Sequence, residues 1–416
     1  MQKKNPAIVL GILVTIMVGA MGIAITVALA PEPETAISRL KEIVSFKVFF
    51  TKIPIVYFML VILLCVIICL FIALRRYKNR KRVFIVVSSR FTTDPFFAEL
   101  LKHLTTGLWD SNFVPEIKIT QIDPKTNKVP PEEIKKVLKF VSANKHLYSG
   151  GFVVHANIDD LYNVKGYEEF INGFKKPIVF LDTSTSGTRN EFPSNIAFIG
   201  YDNGEIGDIA AQRIGKILLY LKTKFTQLEN NPLRILVIAS QEHIQRQDRF
   251  KKRIEEIFVT RDNIIVIIDN EGAFKKIDAH RRTYHNINES KRDDTLNDKK
   301  PKWDAIFCTN DEMALGAVSA LDNMDSDKYS ADIKGTFIVG VDATDAATDV
   351  IEQKNTPFVS TVNQSPKNLA KEGIDAFFKL RKNEPVNNSL IKPTLYPQDA
   401  EITQVLEEFC RTLEKK

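Results

Sequence analysis

Short apolar runs alternate with longer amphipathic runs over more than 300 residues of this 416-residue chain, and this alternation limits the fold more than any other feature. The apolar runs are four to six residues long, which is typical of strands buried on both faces of a parallel sheet. The predicted strands are Val83–Val87, Gly151–His155, Pro177–Leu181, Ile196–Gly200, Ile235–Ala239, Ile264–Ile268, Ala305–Cys308 and Thr336–Val341. The predicted helices are Pro95–Leu108, Pro131–Ala143, Ile206–Lys224, Gln245–Phe258, Asp311–Leu321 and Pro366–Leu380.

This order of elements predicts an α/β protein in which helices cover both faces of parallel sheets. One sheet of that length would be unusually wide, so the sequence predicts two α/β lobes. The segment Lys275–Trp303 differs in composition, because charged and polar residues dominate it. We interpret it as a solvated excursion on the surface; a partner-binding loop is the functional alternative.

The N-terminal part contains two uncharged apolar segments, Ala7–Ala30 and Ile53–Leu74. Both reach the length of about 20 residues that a membrane-spanning helix needs, so the sequence predicts a two-helix membrane anchor in residues 1–82. The first segment could instead be a cleaved signal peptide, because Ala28-Leu29-Ala30 resembles a cleavage site. We expect a retained helix, since the run is long and Pro31 would follow the cut.

The positive charge of the chain is concentrated at this end. Residues 1–82 carry 12 Lys and Arg against 3 Asp and Glu, whereas the rest carries 45 basic and 48 acidic residues. The basic linker that follows the second segment predicts a two-span protein of the inner membrane with its large domain in the cytoplasm. The rest of the chain has no basic excess, so the charge balance gives no argument for nucleic-acid binding.

The sequence lacks the motifs of common catalytic and metal sites. We find no Gly-x-Gly-x-x-Gly after a strand, no Walker loop, no His-Glu-x-x-His, no Gly-x-Ser-x-Gly and no Cys-x-x-Cys. The four cysteines are too few for a disulfide framework in a chain of this length. We therefore expect a protein that is not an enzyme and that has no metal site and no cofactor.

Polar residues end several of the predicted strands, namely His155, Asp182, Asn310 and Asp342. Ligands of open parallel α/β sheets bind beyond the carboxyl ends of the strands, so these four side chains together predict a pocket. A residue of this kind taken alone is more often a helix cap than a ligand contact, and Asp94 could cap the helix that begins at Pro95 in the same way.

Seven sequence blocks, in this order along the chain, resemble the type 1 periplasmic binding proteins of bacteria. The most specific is Thr309-Asn310-Asp311-Glu312-Met313-Ala314-Leu315-Gly316-Ala317, which is similar to a strand-to-helix signature of the ribose- and galactose-binding branch. This branch shares its fold with the ligand domains of lactose-repressor-type regulators. The other blocks are Val87-Ser88 with Asp94-Pro95-Phe96-Phe97, Val179–Asp182, Ile199–Asn203, Arg246–Phe250, Val339–Asp342 and Thr361–Pro366.

The resemblance implies two similar lobes joined by three crossovers, with a ligand in the cleft between them. The first lobe would hold residues 83–201 and 364–393, and the second would hold residues 202–363 and 394–410. The implied ligand-binding residues are Asp94, Phe96, Phe97, His155, Asp182, Thr183, Arg246, Phe274, Asn310, Asp342 and Gln364. The polar members suit hydroxyl groups, which both donate and accept hydrogen bonds, and the aromatic members suit the apolar face of a sugar ring. Phe96 and Phe97 could alternatively belong to the core of the lobe.

Three of the implied ligand-binding residues depart from the ribose-binding pattern, and Arg249 stands where the family usually has glycine. Thr183 stands where that branch has Arg, His155 stands near a usual Asn, and Asp94 occupies a position often held by Asn. These changes remove a fixed cation and add an anion, which argues against ribose itself.

The sequence therefore predicts a membrane-anchored solute-binding protein, a sensor or a transport receptor, that closes on a small sugar or sugar-like ligand. Its expected partners are the ligand, the lipid bilayer and a permease or signalling protein, without nucleic acid. The resemblance alone would place the domain in the periplasm. The alternatives are a ligand-free scaffold that binds a partner protein and, less favoured, an enzyme on the same fold.

Overall fold

The computed structural model describes the chain in segments. These are residues 60, 62–70, 81–89, 94–123, 129–154, 167–182, 193–224, 233–241, 244–258, 264–289, 303–325, 335–386 and 389–415. The chain divides into two compact units, Met1–Arg80 and Lys81–Lys416.

The first unit does not support the predicted membrane anchor. Of the second predicted span, Ile53–Leu74, the structure describes residue 60 and residues 62–70, all of them helical. Within the described residues, no helix is both long enough and apolar enough to span a bilayer. The predicted two-span localisation in the inner membrane is therefore wrong. The first predicted span, residues 7–30, lies outside the described residues.

The second unit begins with a lobe built from alternating strands and helices. Its strands are β1 (Lys81–Ser88), β2 (Phe113–Thr120), β3 (Tyr148–Val154), β4 (Ile178–Leu181) and β5 (Ile196–Gly200). Its helices are α1 (Pro95–Asp110), α2 (Pro131–Ala143) and α3 (Tyr167–Gly173), with a 3₁₀ turn at Lys145–Leu147.

The second lobe repeats this alternation. Its strands are β6 (Leu233–Ile238), β7 (Ile264–Asp269), β8 (Ala305–Cys308), β9 (Phe337–Asp342) and β10 (Phe358–Asn363). Its helices are α4 (Asn203–Lys224), α5 (Ile244–Ile257), α6 (Lys276–Glu289), α7 (Asp311–Asp325) and α8 (Asp345–Glu352). The chain ends with α9 (Pro366–Arg381), β11 (Ser389–Leu390), β12 (Thr394–Tyr396) and α10 (Asp399–Lys415).

The two sheets have the same strand order. The first sheet runs β2–β1–β3–β4–β5–β11 and the second runs β7–β6–β8–β9–β10–β12. Strands β1 to β5 and β6 to β10 pair in parallel, β11 is parallel to β5, and β12 is antiparallel to β10. Each strand of one lobe therefore has an equivalent in the other, so that β4 corresponds to β9.

The chain crosses between the sheets three times: after β5, after β10, and between β11 and β12. The crossovers contact one another, because the Tyr201 hydroxyl donates to the Ser365 carbonyl oxygen at 3.4 Å and the Ile391 N–H donates to the Gly200 carbonyl oxygen at 2.7 Å. These bonds join the strands through which the chain passes between the lobes.

Apolar side chains cover both faces of each sheet. One continuous cluster packs on one face of both sheets and includes Ile85 on β1, Val237 on β6 and Val339 on β9. Separate clusters cover the opposite faces, around Phe84 in the first lobe and around Leu236 in the second. Both sheets are consequently sandwiched between helices, as the α/β prediction requires.

The structure corrects two sequence interpretations. The predicted buried strand at Ile264–Ile268 is the edge strand β7, whose residues are partly exposed because only β6 pairs with it. The first half of the predicted excursion Lys275–Trp303 is helix α6, which buries Ala279, Thr283 and Ile287 at intervals of four residues.

Candidate functional site

The polar residues that the sequence singled out cluster beyond the carboxyl ends of the strands. Asp182 follows β4, Asp342 ends the equivalent strand β9, Asn310 follows β8, and Gln364 follows β10. All four side chains are buried, with 2–8% of their surface exposed. Four buried polar groups at strand ends form the kind of site in which parallel α/β proteins bind ligands.

Arg246, on the first turn of α5, contacts Gln364 of this group and is 1% exposed. Its Nε and Nη2 groups donate to Asn203 Oδ1 at 3.2 and 2.9 Å, Nη2 also donates to Gln364 Oε1 at 3.3 Å, and Nη1 donates to the Thr309 carbonyl oxygen. A guanidinium carries five N–H groups, so these four bonds to described residues leave one N–H for a ligand. Burial lowers the pKa of Arg246 to about 10, which leaves it charged at neutral pH.

Two buried carboxylates lie on the same side of the second lobe. Asp311 is fully buried; its Oδ2 accepts from the Thr344 N–H at 2.9 Å and its Oδ1 accepts from the Thr361 hydroxyl at 2.7 Å. Burial raises the pKa of Asp311 to about 7, and burial and the charge of Asp311 raise the pKa of Asp342 well above its usual range. The opposing effect of Arg246 on the pKa of Asp342 is smaller than that of burial.

The first lobe contributes Asp94 and Asp182 to this region. The Asp94 carboxylate caps α1 by accepting from the Phe96 N–H at 3.0 Å and the Phe97 N–H at 3.4 Å. Its charge also raises the pKa of Asp342, and the charge of Asp182 stabilises protonated Arg246 and so raises its pKa. Asp94 and Asp182 of the first lobe thus act electrostatically on Asp342 and Arg246 of the second.

The remaining predicted residues take different places. Phe96 is 5% exposed and belongs to the core, whereas Phe97 is half-buried with its ring edge-on to Phe96 at a centroid distance of 5.2 Å. Phe274 is half-buried just before α6 and has a φ of +61°. Asn310 uses its Oδ1 to accept from the Met313 N–H at 2.9 Å, as a helix cap does. His155 and Thr183 lie outside the described residues.

Sequence reasoning missed three buried polar residues of this region, Asn203, Asp311 and Gln247. Asn203 is 2% exposed and accepts from Arg246, while Asp311 and Gln247 are the chain neighbours of predicted site residues. All three lie inside the family-like blocks, but they are not among the ligand-binding residues that the resemblance implies. The local signal of Asn203 and Asp311 is that of a helix start, since each is the first residue of a helix.

Two equivalent sheets, three crossovers and polar groups at the strand ends define the two-lobed type 1 periplasmic-binding-protein fold. The family model described as "Periplasmic binding protein domain" matches residues 174–385, just over half of the chain. The chain belongs to this family.

Known proteins of two kinds are similar to this chain. The HTH-type transcriptional regulator MalR of Clostridium butyricum is 24% identical over 76% of this chain and 80% of its own length. The ribose import binding protein RbsB of Haemophilus influenzae is 27% identical over 50% of this chain and 59% of its own length. A solved periplasmic solute-binding protein of an ABC transporter from Actinobacillus succinogenes, with bound D-allose, has a TM-score of 0.57 and 14% identity, over 78% of this chain and 99% of that one. The likeness to the solved structure supports the fold.

Proposed function

We propose that this protein binds a small sugar or sugar-like polyol between its two lobes and closes on it. The observation that carries the proposal is Arg246, which is buried among polar groups of the second lobe and keeps one N–H that no described residue accepts. Polar contacts hold its other N–H groups, so the guanidinium is fixed in place before a ligand arrives.

The proposed contacts match the chemistry of a polyol. Asp182 and Asp342 would accept from hydroxyl groups, and Arg246, Asn310 and Gln364 would donate to them. The Gln364 Nε2 atom is buried and has no hydrogen-bond partner among the described residues, which favours a ligand oxygen at that point. The ribose- and allose-binding proteins to which the chain is similar support the choice of a sugar.

Aromatic contacts would come from Phe97 and Phe274, which are half-buried, more than from Phe96, which lies in the core. The sequence places His155 and Thr183 at strand ends of the first lobe, and we keep both as proposed ligand contacts.

The proposed output is the closure of the lobes. A ligand that contacts Asp182 in one lobe and Arg246 in the other binds the closed form better, so it shifts the population toward closure. A permease or a signalling protein would then recognise the closed form, which is how a transport receptor or a sensor would use this fold.

The test is a thermal-shift panel on the purified full-length protein with D-ribose, D-allose, D-galactose and D-glucose, followed by calorimetric titration. A ligand present at about 100 times its Kd should stabilise the folded protein by roughly 2.7 kcal/mol, which is a shift of several degrees. Small-angle scattering should then report a smaller radius of gyration with the ligand than without it.

Two other outcomes correspond to the alternative functions. If no solute of the panel or of a wider polyol library raises the melting temperature, the proposal fails and a ligand-free scaffold becomes the better interpretation. If a sugar is chemically converted during the titration, the protein is an enzyme on the same fold and the proposal of a binding protein fails.

A further inference from the structure

Asp311 begins α7 directly after the strand-end residue Asn310, and its side chain is fully buried. Its Oδ1 atom accepts from the Thr361 hydroxyl at 2.7 Å, and its Oδ2 atom accepts from the Thr344 N–H at 2.9 Å and from the Thr344 hydroxyl at 3.3 Å. A buried carboxylate is costly unless hydrogen bonds of this kind satisfy it. Since the side chain is fully buried and both oxygens are bonded, Asp311 would act on a ligand through its neighbours and not by contact.

The neighbours of the Asp311 carboxylate belong to segments that carry proposed ligand contacts. Thr344 comes two residues after Asp342, and Thr361 comes three residues before Gln364. The residue that bears the carboxylate follows Asn310 directly. One side chain therefore links the carboxyl ends of β8, β9 and β10.

The turn after β9 has a backbone conformation that needs such support. Asp342 and Ala343 have φ values of +118° and +54°, which are unfavourable for residues with a side chain. The Ala343 N–H donates to the Thr361 hydroxyl oxygen at 3.4 Å, and the Thr344 N–H donates to Asp311. Strained backbone persists where the surrounding structure imposes it, so these two bonds help to fix the backbone from which the Asp342 side chain projects.

Strand β9 leaves room for the carboxylate at Gly340. A Cβ at this position would lie 2.4 Å from Asp311 Oδ1, so a residue with a side chain would displace the carboxylate. Gly340 is also the residue that pairs with Thr361 in the parallel register of β9 and β10. The carboxylate is thus packed against the backbone of β9 and bonded to β10 and to the turn after β9, which leaves it little freedom to move.

We propose that Asp311 is a positioning residue of the ligand site, which holds the ends of β8, β9 and β10 so that the polar side chains at those ends converge on the solute. This inference rests on the proposed function, because it concerns the same cleft. Contacts of this kind raise affinity by fixing, before the ligand arrives, the groups that touch it.

The test compares two threonines whose hydroxyl groups are similarly buried. Thr361 donates to Asp311, whereas Thr336, at the opposite end of β9, donates to the Trp303 carbonyl oxygen at 2.6 Å. Both threonines are at most 2% exposed, and valine, which is nearly the same size, removes one buried hydrogen bond in either case. The urea midpoints of Thr361→Val and Thr336→Val should therefore fall by similar amounts.

Calorimetric titrations of the full-length protein with D-ribose, D-allose, D-galactose and D-glucose then separate positioning from stability. Thr361→Val should weaken the binding of the tightest of these sugars by about 3- to 10-fold. Thr336→Val should leave that affinity within about 2-fold of the wild type, because its hydroxyl is remote from the strand ends.

Two variants of Asp311 test the hydrogen bonds directly. Asp311→Asn keeps an oxygen that can accept from the Thr344 N–H and gains an amide N–H that the Thr361 oxygen can accept, so its affinity should stay within about 3-fold of the wild type. Asp311→Ala loses these bonds and should bind about 10-fold or more weakly. Circular dichroism first establishes that each variant is folded. If Asp311→Ala is unfolded, the comparison of Thr361→Val with Thr336→Val decides alone.

Three results would overturn the positioning role and leave sugar binding intact. Equal losses of affinity in the two threonine variants would show that binding follows stability alone. Wild-type affinity in Thr361→Val and Asp311→Ala would show that the Asp311 bonds do not matter to the ligand. Binding by Asp311→Asn as weak as that by Asp311→Ala would show that the charge matters and not the hydrogen bonds. If the wild type binds none of the four sugars and no member of the polyol library, the proposed function and this inference are both wrong.

Discussion

Arg246 and Arg249 lie three residues apart on α5 but have opposite surroundings, which makes them a matched pair for testing the site. Arg246 is 1% exposed, whereas the side chain of Arg249 is 54% exposed and pairs with Asp208 on α4. We expect Arg246→Ala to weaken ligand binding strongly and Arg249→Ala to leave it nearly unchanged.

The magnitude follows from the donors that the described contacts leave unused. Four of the five N–H groups of Arg246 are bonded to Asn203, Gln364 and Thr309, so one charge-assisted hydrogen bond is available to the ligand. A bond of this kind is worth roughly 1.5–3 kcal/mol, which predicts a loss of affinity of roughly 10- to 150-fold. The exposed Arg249–Asp208 pair is worth about 0–1 kcal/mol, and its loss should be seen in stability only.

Removal of Arg246 also affects the folded state, because Asn203 and Gln364 lose their buried partner. Breaking a buried charged contact typically costs about 3–5 kcal/mol, so the melting temperature of Arg246→Ala should fall by several degrees. Arg246→Lys keeps the positive charge and loses the planar fork, so its affinity should lie between those of the wild type and Arg246→Ala.

The assay is calorimetric titration of all three variants with the tightest-binding solute of the sugar panel. Circular dichroism at the titration temperature first establishes that each variant is folded. A loss in Arg249→Ala equal to or larger than that in Arg246→Ala would refute the reasoning, and the assignment of α5 to the ligand site would have to be withdrawn.

Three further predictions concern stability. Burial raises the pKa of Asp311 to about 7, so the folded state keeps a proton that the unfolded chain loses near pH 4. The free energy of unfolding should therefore fall as the pH rises from about 4 to about 7. In urea titrations, Asp311→Asn should show a flatter pH dependence than the wild type. Gly200→Ala should lower the free energy of unfolding by more than about 2 kcal/mol, because a Cβ there would lie 1.7 Å from the Asp182 carbonyl oxygen. Gly173→Ala is the control: its Cβ would meet nothing within 4 Å, so it should unfold at nearly the wild-type urea concentration. Asp342→Gly should raise the melting temperature by a few degrees and weaken ligand binding, and the reverse result would contradict the strain inferred from its positive φ.

The fold could be predicted from the sequence because most of its strands are central and buried. Strands such as β4 and β8 are covered on both faces, so their sequences are continuous apolar runs. The sequence analysis missed β2, an edge strand whose residues are mostly part-exposed and which contains Pro115, a residue that cannot donate to the ladder. It missed α6 because charged residues on the outer face of that helix hide the spacing of Ala279, Thr283 and Ile287.

The site was predictable only in part, since its residues come from distant segments. The strand-end positions of Asp182 and Asp342 follow from the apolar pattern, and that pattern places them on one edge of each sheet. The contact of Arg246 with Asn203 and Gln364 depends on how α4, α5 and the crossover after β10 pack, and local sequence does not encode that packing. The burial that raises the pKa of Asp311 is likewise a property of the folded lobe.

The two strand-end aspartates share an unusual backbone conformation. Asp182 and Asp342 follow or end equivalent strands of the two lobes, and they have nearly identical φ values of +119° and +118°. This region is unfavourable for a residue with a side chain, and glycine would occupy it with less strain. The same strained conformation with the same carboxylate therefore occurs twice in one chain, at the two positions where a ligand between the lobes would contact both sheets. Strain of this kind persists where the surrounding structure imposes it, and a carboxylate held at each strand end is the feature that a polar ligand would use.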